Sequence, residues 1–367
     1  MKIRRLHIKK AILKRRKMNS IDISKVSIIA EAGVNHNGSI ELAYKLINVA
    51  KKAGADAVKF QTFKTENMIS TFADKVERRK KTSSSKKYQF EVIKKLELSY
   101  EDFRKIKKYC DKKGILFLST PFDCESVDFL EDLVPLYKIG SGEITNLPFL
   151  DYVARKGKPI ILSTGMSTMG EIEEAINVIL HTIKSTSSHL AIKFSPLTLL
   201  HCVSKYPTDY EEVNLKAMLT LKEIFKMPVG YSDHTLGIEI PIAAVALGAK
   251  VIEKHFTLDR NLIGPDHRAS LEPNELMAMV VSIRNIEKAL GNGIKKPIQS
   301  EFEVMRVARK SLIAKRDIRL GEKVSEKDIA IKRPGTGISP KFKNVVIGMV
   351  AKKFINHDEP FHWEHFK

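Results

Sequence analysis

The sequence predicts an α/β fold, a (β/α)8 barrel followed by a small C-terminal domain, and three observations carry the prediction. Eight short apolar runs, each followed by a segment of helical period, succeed one another between residues 26 and 290, matching such a barrel in count and span. Four of the runs close on polar clusters: Lys59-Phe60-Gln61, Lys138-Ile139-Gly140-Ser141-Gly142-Glu143, Ser232-Asp233-His234 and Glu253-Lys254-His255. Barrel enzymes build their sites at the carboxyl ends of the strands, where these clusters fall. After Gly291-Asn292-Gly293 the pattern changes to short strands and turns. A doubly wound sheet is the structural alternative, but it gathers its ligand groups at one switch point, whereas the clusters here sit on nearly every strand end.

The first strand is expected over 26–32, with Glu31 near its end, and its helix over 40–53. The second strand, 56–61, leads into a polar excursion over 64–98 that contains the run 80–87. That length exceeds an ordinary connection and marks a lid or rim feature. A helix over 100–113 precedes strand three, 115–120, which Pro121 stops. Strand four covers 136–140, and Pro148 opens its helical region. Strand five, 159–164, closes at Gly165 and is followed by a helix over 168–183. Strand six, 199–204, stops before Pro207 and precedes a helix over 213–225. Strand seven, 229–232, is followed by a helix over 236–247, and strand eight, 251–256, by the closing helix over 273–290. Residues 291–305 carry no strong period, contain Pro297 and read as a linker; residues 306–367 form the small domain, with strands at 311–314 and 332–334.

With 367 residues, 43% hydrophobic and 29% charged, the chain can bury a large core and a smaller companion. No apolar run approaches the roughly 20 residues needed to span a bilayer, so no membrane partner is expected. Cys110, Cys124 and Cys202 are odd in number and widely spaced, which suggests neither a disulfide framework nor a zinc knuckle and favours a reducing, cytoplasmic setting. The net charge of +20 is uneven: residues 1–17 hold nine Lys/Arg and no acid. Residues 1–25 are read as a basic extension, a disordered or misassigned start with Met18 as the initiator. A nucleic-acid or membrane-surface tail is the rival reading. The remaining excess of lysine suits anionic substrates, and nucleic acid is not the expected partner.

Successive strand side chains point to opposite faces, so Lys59 pairs with Gln61, Ser232 with His234 and Glu253 with His255. His234 and His255 end adjacent strands and can converge on one divalent ion, leaving positions for water and a substrate oxygen. His36, His201 and His267 are read as structural or substrate-facing. Lys59 and Lys138, among Thr120, Ser141, Ser163, Thr164 and Ser232, can neutralise a phosphate and a carboxylate together. The rival is a Schiff-base lysine at Lys59 or Lys138, as in class I aldolases, and a non-catalytic binding protein is the bland alternative. Glu31, Glu143 and Glu253 are expected to face the same cavity as proton-transfer candidates or as partners of the lysines.

On nine segments the chain closely resembles the sialic acid synthase family: IIAEAGVNHNG (28–38), AVKFQTFK (57–64), LSTPFD (118–123), YKIGSGEITNLP (137–148), ILSTGMST (161–168), GYSDHTLGI (230–238), AKVIEKHFTLD (249–259), GPDHRASLEP (264–273) and KRPGTGISP (332–340). The resemblance implies a TIM barrel with a C-terminal antifreeze-like (SAF, β-clip) domain in a domain-swapped homodimer. It implies condensation of phosphoenolpyruvate with an N-acetylated mannosamine-type sugar to a nine-carbon 2-keto sugar acid, N,N'-diacetyllegionaminate or N-acetylneuraminate, with C–O cleavage and release of phosphate. Lys59, Thr120, Lys138, Ser141, Ser163 and Ser232 match phosphoenolpyruvate-binding positions, and Ser204, where related synthases often carry Asn, is grouped with them. His234 and His255 match the ligands of a manganese or magnesium ion. Gln61, Tyr206 and Asp266 match positions that hold the sugar, and Arg333 matches an arginine contributed by a partner's small domain.

Overall fold

The computed structural model describes residues 25–70, 89–186 and 195–367; the basic stretch 1–17 and the run 80–87 lie outside them. Eight parallel strands form one sheet: β1 (Ser27–Gly33), β2 (Ala57–Thr62), β3 (Leu116–Pro121), β4 (Tyr137–Ile139), β5 (Ile160–Ser163), β6 (Leu197–His201), β7 (Val229–Asp233) and β8 (Val251–His255). The order is β3-β2-β1-β8-β7-β6-β5-β4, so the ladder runs almost completely round. The two end strands, β3 and β4, are consecutive in the chain and lie side by side. Helices of matching sequence period separate the strands. Ser39 caps Ile40–Ala53 through a hydrogen bond from the Leu42 amide, Gly54 ends it at φ 85°, and Ser99 and Gly114 do the same for Tyr100–Lys113.

Two hydrophobic layers result. The larger lies between strands and helices, from Ile28 and Val58 through Tyr231 and Ile252 to Leu276 and Ile283. The smaller fills the barrel interior with Ile29, Ala57, Leu118, Leu136, Ile161, Leu200 and Val251, one residue from each strand or its lead-in except β7. There Gly230 stands at that level, because a Cβ would meet the Val251 carbonyl oxygen at 2.3 Å and Leu200 Cδ2 at 2.7 Å. Two residues further along each strand the pleat returns to the same side. Above the apolar floor it therefore places Glu31, Lys59, Thr120, Lys138, Ser163, Ser232 and Glu253 on their strands and Cys202 one residue past the end of β6.

The chain divides at Gly291/Asn292 into two compact units. The second has its own core, built on Leu312, Ile318, Val324, Ile338, Ala351, Ile355, Phe361 and Phe366, and an antiparallel pair, β9 (Ser311–Ala314) with β10 (Ile329–Lys332). The strand expected at 332–334 thus lies earlier. The linker holds a helix, Glu301–Ala308, whose exposed Phe302, Val304 and Val307 obscure a one-sided pattern. Strand six begins and ends before its expected bounds, because Thr198 and the apolar run 199–200 complete it and Cys202 already belongs to the loop. No helix among the described residues is long and apolar enough to cross a membrane.

Candidate active site

The ring of strand ends opens into a cavity of about 330 Å³. It is lined by Glu31, Lys59, Gln61, Thr120, Lys138, Ser141, Ser163, Ser204, Tyr206, Ser232, His234, Glu253 and His255. Thirteen residues named from sequence thus meet in one chamber. Phe122, Met166 and Cys202 line it as well and were not singled out as site residues. For Cys202 the alternation from Leu200 was the available signal; Met166 stands beyond β5 in the left-handed region, φ 59° and 72% exposed, and nothing in its sequence setting marks it.

Strand register sets the charge pairing. Glu31 lies opposite Lys59 across β1 and β2, and Ser232 opposite Glu253 across β7 and β8. Lys59 Nζ sits 2.8 Å from Glu31 Oε2 and 3.8 Å from Glu253 Oε2, and donates to Thr120 Oγ1 at 2.8 Å. Lys138 Nζ is 3.4 Å from Glu253 Oε1, which also accepts the Ser232 hydroxyl at 3.1 Å. Two lysines and two glutamates, all at most 5% exposed, form one buried network. Burial pushes Glu31 up to about 7, with Glu253 adding and Lys59 opposing. Burial also disfavours ionised Glu253, but Lys138 and Lys59, helped by His255, outweigh it and hold that carboxyl well below the usual range. For Lys59 burial is outweighed by Glu253 and Glu31, so its pKa rises; for Lys138 burial prevails and its pKa falls.

Next to the lysines lies a hydroxyl-rich wall. Ser141 Oγ accepts the Gly165 amide at 2.9 Å and lies 3.1 Å from Cys202 Sγ. Gly165 is required by this close approach: a Cβ there would stand 2.5 Å from Ser204 Oγ and 2.9 Å from Ser141 Oγ. Ser163 Oγ is buried without a hydrogen-bond partner among the described residues. An orphaned hydroxyl close to two buried lysines is suited to an anionic ligand.

The histidines fit a divalent ion. Their ring centroids are 5.7 Å apart, with Tyr206 4.1 Å from the His234 ring and 5.7 Å from that of His255. His234 Nδ1 donates to the Val203 carbonyl at 2.7 Å, which leaves Nε2 with its lone pair. Burial lowers both imidazoles to about 4, so they are neutral donors near pH 7, and His255 Nδ1 is buried with no hydrogen-bond partner among the described residues. Among those residues no group of three or more His, Cys, Asp or Glu is arranged to hold a metal, so these two imidazoles would need water or substrate to complete a coordination sphere.

Three expected site residues lie elsewhere. Glu143 does not line the cavity: β4 ends at Ile139, and the alternation gives way to a tight turn over Ser141–Glu143. That turn keeps Ser141 inward and sends the Glu143 carboxylate to Asn146 Nδ2 at 2.8 Å. Asp266 is not among the lining residues and lies beside one of them, with Oδ2 3.8 Å from His255 Nδ1. Arg333 belongs to the second unit and is exposed. Of the other histidines, His201 meets the Val213 carbonyl at 2.9 Å, and His267 joins Thr257 to Asn37.

Comparison with known proteins agrees with this layout. The NeuB family model matches residues 46–295 and the SAF domain model residues 309–367. The chain is 52% identical to N,N'-diacetyllegionaminic acid synthase of Campylobacter jejuni, over 92% of this chain and 99% of that protein. It is 46% identical to the enzyme of the same name from Legionella pneumophila, over 93% and 94%. The crystal structure of an N-acetylneuraminic acid synthetase from Leptospira borgpetersenii, in complex with citrate, superposes with a TM-score of 0.65 at 40% identity, covering 77% of this chain and 90% of that one.

Proposed function

From the premise that the chain belongs to the NeuB family, with a SAF domain at its C-terminus, we propose that it condenses phosphoenolpyruvate with 2,4-diacetamido-2,4,6-trideoxymannose to give N,N'-diacetyllegionaminate and phosphate. The observation that carries the reading is the buried Lys59–Glu31–Glu253–Lys138 network, in a cavity of a chain 52% identical to a synthase of that product. Lys59 and Lys138 neutralise the phosphate and carboxylate of phosphoenolpyruvate, while Thr120, Ser141, Ser163, Ser204 and Ser232 supply hydrogen bonds around them. Gln61 and Tyr206, which line the cavity, hold the acceptor hydroxyls, and Asp266 acts from beside His255, 3.8 Å away. A divalent ion, manganese or magnesium, held by His234 and His255 would supply Lewis acidity toward the aldehyde oxygen of the open-chain sugar.

In the reaction C3 of phosphoenolpyruvate bonds to the aldehyde carbon, a water adds at C2, and the C2–O bond breaks to release phosphate. Glu31, which carries a proton up to about pH 7, delivers it to the aldehyde oxygen as that becomes a hydroxyl. Glu253, ionised, keeps the lysines in place and takes up a proton from the attacking water. An imine mechanism is disfavoured at Lys59, because Glu31 and Glu253 hold that amine in its charged form. The chain acts as a homodimer, in which Arg333 serves the partner's site.

The test supplies phosphoenolpyruvate, Mn2+ and either the diacetamido sugar or N-acetylmannosamine, and follows keto acid and phosphate. A higher kcat/KM for the diacetamido sugar is expected. Equal or reversed preference overturns the acceptor, and keto acid formed without phosphate overturns the reaction. With 18O in the bridging position of phosphoenolpyruvate, the label is expected in phosphate.

A further inference from the structure

We propose that the buried ion pair Asp233–Lys254 is a positioning device that sets His234 and His255 against each other for metal binding. The inference rests on the reading of those histidines as metal ligands. Asp233 and Lys254 are fully buried and paired across β7 and β8, where they lie in register. They stand on the outer side of the barrel, the side that Tyr231 and Ile252 share with the apolar layer under the helices. Each is flanked in the chain by two cavity residues: Asp233 by Ser232 and His234, Lys254 by Glu253 and His255.

The network closes around the histidines. Asp233 Oδ1 accepts the Thr235 amide at 3.1 Å and its hydroxyl at 3.0 Å, and Lys254 Nζ donates to the Thr235 carbonyl at 2.5 Å. His234 is therefore pinned through both of its chain neighbours, and His255 through the residue before it. Thr208 extends the anchorage by donating its amide to the His234 carbonyl at 2.9 Å. Stability alone does not account for two charges in this layer, because apolar residues of similar volume often serve as well or better there. An ion pair differs from them in being directional, fixing how far apart two strand ends sit.

The double variant Asp233→Leu/Lys254→Met separates the two roles. Thermal unfolding reports the fold, and calorimetric titration with Mn2+ reports the site without reference to turnover. The expected result is a melting temperature at or above that of the wild type, with Mn2+ affinity weakened about 10- to 100-fold, the range for residues that orient metal ligands. A folded double variant that binds Mn2+ as the wild type does overturns the proposal. If that variant does not fold, Thr235→Val removes a single hydroxyl from the same network. Weaker Mn2+ binding at unchanged melting temperature then supports the proposal, and unchanged binding overturns it. His234→Ala is the reference: wild-type Mn2+ affinity in that variant would sink the metal reading itself, whereas its loss there beside full binding in the double variant sinks only the role of the pair.

Discussion

Glu31 and Glu253 are the same side chain in one network, yet they hold protons oppositely. Glu253 has two lysines and a serine hydroxyl close by, whereas Glu31 has one lysine and feels Glu253 as a like charge. Divergent environments of this kind separate a proton donor from a carboxylate that rests ionised and can accept one. Because the Glu31 pKa is raised, its protonated form persists to about pH 7 and is lost above it. If Glu31 is the proton donor, kcat/KM falls as pH rises through that value. Glu31→Gln should lower kcat by about 10²- to 10⁴-fold and remove that limb of the profile; a limb that survives the substitution rejects the assignment. Glu143→Gln should leave the shape of the profile unchanged, since that carboxylate is spent on Asn146 outside the cavity.

At the scale of the element, the floor of the barrel and the ring above it are two readings of one pleat. Gly230→Ala tests the floor: its Cβ would run into the β8 backbone, which cannot swing aside. Denaturant unfolding should show a loss of about 1–3 kcal/mol or more. Gly165→Ala tests the wall: the new methyl would displace the Ser204 and Ser141 hydroxyls rather than backbone, so the KM for phosphoenolpyruvate should rise while the melting temperature holds. Much at this scale was legible beforehand. The helices Ile40–Ala53, Tyr100–Lys113 and Pro273–Leu290 stand where capping residues and apolar period place them. Lys59, Ser232, His234, Glu253 and His255 reach the cavity because alternation holds to the end of each strand. It fails where a strand stops short: past Ile139 a turn carries Glu143 away, and no periodicity forecasts that turn. The helix Glu301–Ala308 was hidden for the converse reason, since it buries no residue.

For the whole molecule, the second unit's separate core leaves its role open to a direct test. If Arg333 serves a partner's site, mixing Arg333→Ala with His234→Ala chains should recover part of the activity that each lacks alone. One of the two composite sites then carries neither lesion. No recovery, with subunit exchange verified by mass, refutes the shared site. The barrel itself carries another consequence. Its ladder joins seven neighbouring pairs and leaves β3 and β4 adjacent but unladdered, and Thr120 and Lys138 flank that seam. Mechanically the barrel is a hoop with one unriveted joint, and the proposed anion site lies across it. A ligand gripping both sides acts as the rivet, and its binding energy is added to closure of the joint. Amide exchange in Leu116–Pro121 and Tyr137–Ile139 should therefore slow on adding phosphoenolpyruvate, more than in Val229–Asp233 on the hoop's far side. Faster exchange at the seam of the free protein, slowed by phosphoenolpyruvate, is the signature of a joint that its ligand closes; equal slowing on both sides of the hoop rejects it.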